Sequence, residues 1–291
     1  MALTDNMKGA VLMTLSMAGF TLNDACMKAL AGDLPLGQAV FLRGVIASVL
    51  IYLLGRSLGA LSFQLPKREW KLIGLRALAE IGSTYTFLMA LFNIPIANVT
   101  AILQALPLTV ALAAWLFLSE PLGWRRLLAI GVGFIGVLLI IQPGGAGFSV
   151  WSMYALGTVG FVTFRDIIVR RMARSTPSMT VAFLNAVVTT LAFGGMSWGE
   201  VWAPVDARAV GLLMLAAVFI FGGYLFSVMV MRVGEIGFVA PFRYTGMITA
   251  LVVGYLFFGD WPDVLTLLGA AIVVAMGLFT LYRERVLTRR G

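Results

Sequence analysis

With 291 residues, 60% of them hydrophobic and only 12% charged, the chain departs from soluble domains, in which about 25% of residues carry charge. One cysteine and no histidine exclude an internal disulfide, a zinc cluster and imidazole chemistry near neutral pH. A formal charge of +8 invites a polyanionic partner, but the placement of the basic residues argues against one.

A helix needs about 20 mostly apolar residues to cross a bilayer. Ten segments qualify, at 7–30, 36–56, 70–91, 96–119, 124–141, 150–172, 178–198, 207–232, 236–259 and 263–282. The first runs on through Asn23 and Asp24 without a small-residue cleavage site, so it is expected to stay as a span and not to leave as a signal peptide. Short connections carry breakers, Asp33-Leu34-Pro35, Pro143-Gly144-Gly145 and Thr176-Pro177. With the N-terminus in the cytoplasm, that side holds fifteen basic residues: Lys8, Arg56, Lys67, Arg68, Lys71, Arg125, Arg126, Arg170, Arg171, Arg174, Arg232, Arg283, Arg285, Arg289 and Arg290. The opposite side holds Lys28 and Arg208. This asymmetry predicts a multi-pass protein of a bacterial cytoplasmic (inner) membrane with N- and C-termini both cytoplasmic. The expected partners are therefore the lipid bilayer and a small-molecule solute, not nucleic acid. Oligomeric state stays open between monomer and homodimer.

The chain repeats itself. A shift of 140 pairs Val99 with Val239, Thr109 with Thr249, Trp115 with Tyr255, Phe117 with Phe257 and Glu120 with Asp260. A shift of 142 pairs Asp24 with Asp166, Pro35 with Pro177 and Phe41 with Phe183. The expected fold class is all-α integral membrane, ten transmembrane helices as two inverted five-helix repeats around a central cavity. The units would be residues 1–145 and 146–291, and because five is odd the second must enter the membrane from the other side.

The run from Gln104-Ala105-Leu106-Pro107 through Trp115 to Glu120, followed by a span with Gly131, Gly133 and Gly136, resembles the EamA-type repeat of the drug/metabolite transporter superfamily. The second copy, from Gly246 to Asp260 and on to Gly277, departs from it, with Asp260 where the family has Glu and Met247 where the first copy has Pro107. The resemblance implies a cavity lined mainly by spans 1, 3, 4, 6, 8 and 9, with spans 5 and 10 at the periphery. Its members export amino acids or move vitamins, nucleotide-like metabolites and drugs.

Ionisable residues inside spans are costly, so each is a candidate for function. Asp24 with Arg43 on the outer side and Asp166 with Arg243 on the inner side are candidate gating or coupling pairs. The alternative is that they are static ties, with Arg165 and Arg243 reaching toward headgroups. Glu80 lies near the middle of the third span, one turn from Arg76, and either binds solute or carries a proton, or only neutralises Arg76. Asn23, Tyr85, Gln104, Tyr224 and Tyr244 are candidate cavity residues, able to stack on or hydrogen-bond a solute or a neighbouring helix. Pro107 and Pro241 are candidate flexing points. Glu120 and Asp260 are expected to cap the helices that follow them.

No glycine loop ending in Lys and Ser or Thr is present to cradle ATP. The expected function is secondary transport by alternating access, of amino acids or similar small metabolites and outward, without enzyme activity, cofactor or metal. Import of a riboflavin-like vitamin is the second reading. An integral-membrane lipid-modifying enzyme is the rival from another class.

Overall fold

The computed structural model describes residues 5–120, 122–145, 148–173, 175–233 and 236–288. Arg174, Arg289 and Arg290 lie outside these ranges, as does Ala146 at the expected repeat boundary, and the side chains of Arg232 and Arg285 are not described. The helices are α1 (Asp5–Ala29), α2 (Leu36–Ser57), α3 (Lys67–Asn93), α4 (Ile96–Leu103), α5 (Leu106–Leu118), α6 (Trp124–Ile141), α7 (Val150–Arg171), α8 (Ser178–Met196), α9 (Ala207–Val233), α10 (Ile236–Val239), α11 (Thr245–Phe258) and α12 (Val264–Thr288).

Proline sets several of these boundaries. Pro35, Pro66, Pro95 and Pro177 occupy the N-cap positions of α2, α3, α4 and α8, where a missing N–H costs nothing because a helix start leaves that donor free anyway. Among the described residues, nine helical stretches are long and apolar enough to cross a membrane. Although α3 has 27 residues, it is not among the nine, because Arg76 and Glu80 interrupt its apolar run.

Two expected spans are broken. The fourth divides into α4 and α5 at Gln104 and Ala105, and Pro107 stands in the first turn of α5. Without an N–H, Pro107 cannot donate to the Leu103 carbonyl, so α4 cannot run straight on. The ninth divides into α10, a 3₁₀ turn over Ala240–Tyr244 that contains Pro241, and α11. Both interruptions reach positions that the 140 shift equates, Gln104 and Tyr244. The broken spans also end alike. Ser119 after α5 and its mate Gly259 after α11 adopt the left-handed conformation, with φ of 56° and 67°, the usual device for stopping a helix.

The capping expectation needs correction. Gly123, not Glu120, precedes α6, and it offers no side-chain cap; Glu120 instead pairs with Arg170 at 2.7 Å. At α12 the capping carboxylate is that of Asp263, not Asp260, and it accepts the Thr266 N–H at 2.6 Å.

The dominant helix contacts join α1 with α9, α3 with α7, α2 with α8 and α6 with α12. Replacing each helix by its repeat mate turns the first pair into the second and maps the other two onto themselves. Small residues permit the closest approach. A Cβ added to Gly269 on α12 would stand 2.5 Å from the Gly136 carbonyl oxygen on α6, so any larger residue would force these helices apart. Large apolar side chains face outward, among them the shift mates Phe117 and Phe257, 65% and 73% exposed. Such a surface suits lipid and not water.

Candidate functional site

A cavity of about 390 Å³ lies inside the bundle, within the size range of small-molecule sites. Its walls come from α1, α2, α3, α7, α8 and α9, with Leu103 and Leu106 at the break between α4 and α5. The expected lining by spans 1, 3, 4, 6, 8 and 9 is thus altered: spans 2 and 7 contribute, and no described residue of span 9 does.

The two sequence shifts organise this wall. Phe20 and Val162, Asn23 and Arg165, Arg43 and Asn185, Glu80 and Ile220, and Thr84 and Tyr224 are mates, and both members of every pair line the cavity. Where α2 and α8 meet, the mates Ser48 and Thr190 place their hydroxyls 3.4 Å apart. Shape is shared between the halves, but charge is not. Arg43 faces Asn185 as its counterpart and Glu80 faces Ile220, so ionised groups concentrate on one side.

Of the candidate residues, Asn23, Asp24, Arg43, Arg76, Glu80 and Tyr224 are brought together here. Arg43 donates to the Asn23 carbonyl oxygen at 3.1 Å, and the Asn23 amide donates to Asp24 at 2.9 Å. Asp24 and Arg43 are therefore joined through an intervening amide and not as a direct pair. Glu80 bonds Arg165 at 3.1 Å across the bundle, in place of Arg76 on its own helix. Arg165 also bonds Asp166 at 3.1 Å, while Arg243 is exposed; the expected Asp166–Arg243 pair is not formed. Arg76 lines the cavity with Nε and Nη1 buried and without a hydrogen-bond partner. Tyr224 packs edge-on against Phe20, with ring centroids 5.4 Å apart.

Three expected wall residues lie elsewhere. Tyr85 packs into the apolar cluster around Met27 and Leu91. Gln104 caps α4 through its backbone N–H, at the break. Tyr244 is buried with its hydroxyl in the space left by the missing side chain of Gly277 on α12. Sequence reading passed over Asn185, Thr158 and Thr189 on the wall, and left Arg165 out of the site. The signal was present, because adding 142 to Arg43 and Asn23 gives Asn185 and Arg165.

Hydrogen-bonded clasps close the bundle at both ends. At the end where α2 begins, Gln38 donates to the Ala203 carbonyl at 2.8 Å and accepts its N–H at 2.9 Å. Glu200 accepts the N–H groups of Gly37 and Gln38 at 3.1 and 3.2 Å, where a carboxylate also favours the positive end of the helix dipole. Arg208 pairs with Asp33 and donates to the Ala29 carbonyl at 3.3 Å. At the other end, Ser62 donates its N–H to Thr180 at 2.8 Å and Arg68 donates to the Arg171 carbonyl at 3.1 Å. Glu69, buried, accepts from Thr176 at 2.7 Å. Gln38 and Thr180, Arg208 and Arg68, and Ala29 and Arg171 are repeat mates, so one fastening is built twice.

The profile of the EamA-like transporter family matches residues 7–142 and 149–282. The chain is 26% identical to the pseudopaline exporter CntI of Pseudomonas aeruginosa over 267 residues, covering 91% of this chain and 93% of that one. It is 23% identical to the S-adenosylmethionine uptake transporter of Rickettsia prowazekii, over 98% of this chain and 96% of that one. Identity to the riboflavin transporter of Vibrio cholerae is 26%, again over 98% and 96%. A solved crystal structure at 17% identity superposes with a TM-score of 0.65, covering 96% of this chain and 98% of its own.

Proposed function

The chain belongs to the EamA-like transporter family, and from that premise we propose that it moves amino acids or similar small metabolites outward across the cytoplasmic membrane by alternating access. It works as a secondary transporter, with both termini in the cytoplasm and two inverted five-helix units, residues 1–145 and 146–291. The observation that carries the reading is the cavity, which offers both signs of charge, Asp24 and Glu80 beside Arg43, Arg76 and Arg165, to a solute that carries both. The exchange of α1·α9 with α3·α7 under the repeat shifts supports a twofold relation, and support for inversion comes from the mates Gln38 and Thr180, which bond at opposite ends of α2. The twin clasps support alternating access, since equivalent fastenings at opposite ends let one part while the other holds. In this reading Asp24, Arg43, Asp166, Arg243 and Arg76 serve gating or coupling, and Pro107 and Pro241 mark where spans 4 and 9 flex.

The named relatives move different solutes in different directions, so they choose neither cargo nor direction. A vitamin importer is the second reading, favoured by the Phe20–Tyr224 aromatic pair on the wall. Purified protein in liposomes preloaded with unlabelled solute tests both. Counterflow of labelled amino acids is expected, riboflavin counterflow alone would replace the first reading with the second, and no counterflow of either would refute both.

A further inference from the structure

We propose that Arg76 selects the solute by binding a carboxylate group on it. The inference rests on the transport reading above and narrows its substrate class.

Three guanidiniums and two carboxylates line the cavity, and their partners divide them. Arg165 is held by Glu80 and Asp166. Arg43 is tied to Asn23, which in turn holds Asp24. Arg43 keeps one buried Nε without a partner beside its bond to Asn23, whereas Arg76 has both Nε and Nη1 buried without a hydrogen-bond partner and no bond to any described side chain. Glu80 lies one turn along the same helix, at a spacing that would let it serve Arg76, but its Oε2 faces Arg165. An unpaired cationic donor inside a membrane bundle is unfavourable, so this arrangement is built for an acceptor that comes from outside the chain.

Charge and geometry then name the acceptor. Arg165 is already held by Glu80 and Asp166, and Arg43 is bridged to Asp24 through Asn23, so Arg76 is the guanidinium on the wall with no acidic side chain bonded or bridged to it. A single carboxylate matches that one guanidinium, whereas a phosphate dianion would bring a second negative charge close to Glu80 and Asp24. Nε and one Nη of a guanidinium form a planar fork that matches the two oxygens of a carboxylate. In the second repeat the position of Arg76 is taken by Ala216, which is fully buried, so no second cationic donor competes from the equivalent place. Phe20, Phe87 and Tyr224 complete the wall and suit the apolar remainder of the solute.

The test uses liposomes carrying wild type, Arg76→Gln or Arg76→Lys, with counterflow of a labelled amino-acid mixture. Competitors are single L-amino acids, their carboxamides, succinate and glycerol phosphate; melting shifts of the purified proteins are read with the same compounds. Carboxylates are expected to compete at least tenfold better than the matching amides in wild type. Loss of a charge-assisted hydrogen bond in Arg76→Gln should weaken half-saturation by about tenfold to a hundredfold and abolish the preference for acid over amide. Arg76→Lys keeps the charge without the fork and should restore part of that preference, which keeps the test open if Arg76→Gln fails to fold. Equal competition by amides in wild type, an unchanged preference in either variant, or competition by glycerol phosphate alone would overturn the inference. Riboflavin counterflow without competition or melting shift from any carboxylate would also overturn it while leaving transport standing; counterflow of no solute would remove the transport reading itself.

Discussion

Truncating Gln38 tests whether the clasp at the start of α2 is a gate. The side chain is fully buried and exchanges two hydrogen bonds with the Ala203 backbone. Gln38→Ala removes both, at a net cost of about 1 kcal/mol each, but only in the state where the clasp is made. In a state open at this end the two segments have already parted and nothing is lost. The equilibrium should therefore shift by about 2 kcal/mol, or about 30-fold, toward that open state. The chain supplies its own reporter, because its one cysteine, Cys26, is buried in α1 three residues before the helix ends at this clasp. Where opening is fast, the rate of labelling follows the open population. With this end outside, as in the proposed orientation, a membrane-impermeant maleimide applied outside intact cells should thus label Cys26 in Gln38→Ala up to about 30-fold faster than in wild type. Thr180→Ala loosens the matching clasp at the opposite end and should not accelerate labelling. Equal acceleration in both variants would mean general loosening, and no acceleration in Gln38→Ala would mean that this clasp does not gate; either result refutes the argument.

Other consequences are as accessible. Glu80→Gln leaves Arg165 with Asp166 as its remaining acidic partner, so the melting temperature should fall, since breaking a largely buried charge pair is destabilising, and counterflow should fall at least about tenfold at equal amounts of folded protein; wild-type counterflow would count against Glu80. Ser119 carries a side chain in a left-handed conformation that its mate Gly259 adopts freely. Ser119→Gly should stabilise by about 0.5–1 kcal/mol and raise the melting temperature by about 2 °C. Asp263 accepts the Thr266 backbone N–H and the Gln142 amide, which hold its pKa below the ordinary carboxylate value. A group lowered in this way stabilises the fold above its unfolded pKa of about 3.9 and loses that contribution as pH falls through the folded value. Asp263→Ala should therefore melt lower near neutral pH, by about 1 kcal/mol for a lost cap, with the gap to wild type closing in strong acid; a gap that persists there would assign the loss to packing.

The spans and several of their limits were legible because length and proline act locally: Pro35 and Pro177 mark helix starts in any environment. The wall was harder to read. In lipid a helix is apolar on its outer and inner faces alike, so periodicity points nowhere and charged residues are the strongest sign of the interior, with isolated amides and hydroxyls a weaker one that left Asn185 unread. That is why Asn23, Asp24, Arg43, Arg76, Glu80 and Tyr224 were found while Thr158 and Thr189 were passed over. Pairing failed for a different reason. Sequence spacing allowed Arg76 to pair with Glu80 on one helix, but packing of α3 against α7 brings Arg165 to Glu80 and leaves Arg76 aside. Tyr244 misled because nothing local indicates that Gly277, far along the chain, leaves a notch for its hydroxyl.

The unequal sharing of ionised groups between the two halves of the chamber, Arg43 against Asn185 and Glu80 against Ile220, has a kinetic corollary. In the alternating-access reading proposed above, swapping the roles of the two repeats reverses which face the chamber opens to, yet the swap does not carry Arg43 or Glu80 onto a like residue. A solute entering from one face therefore meets a different electrostatic landscape from one entering at the other, and its half-saturation constants on the two faces differ. Detailed balance in an uncoupled carrier then requires the side with tighter capture to turn over more slowly, in the same ratio.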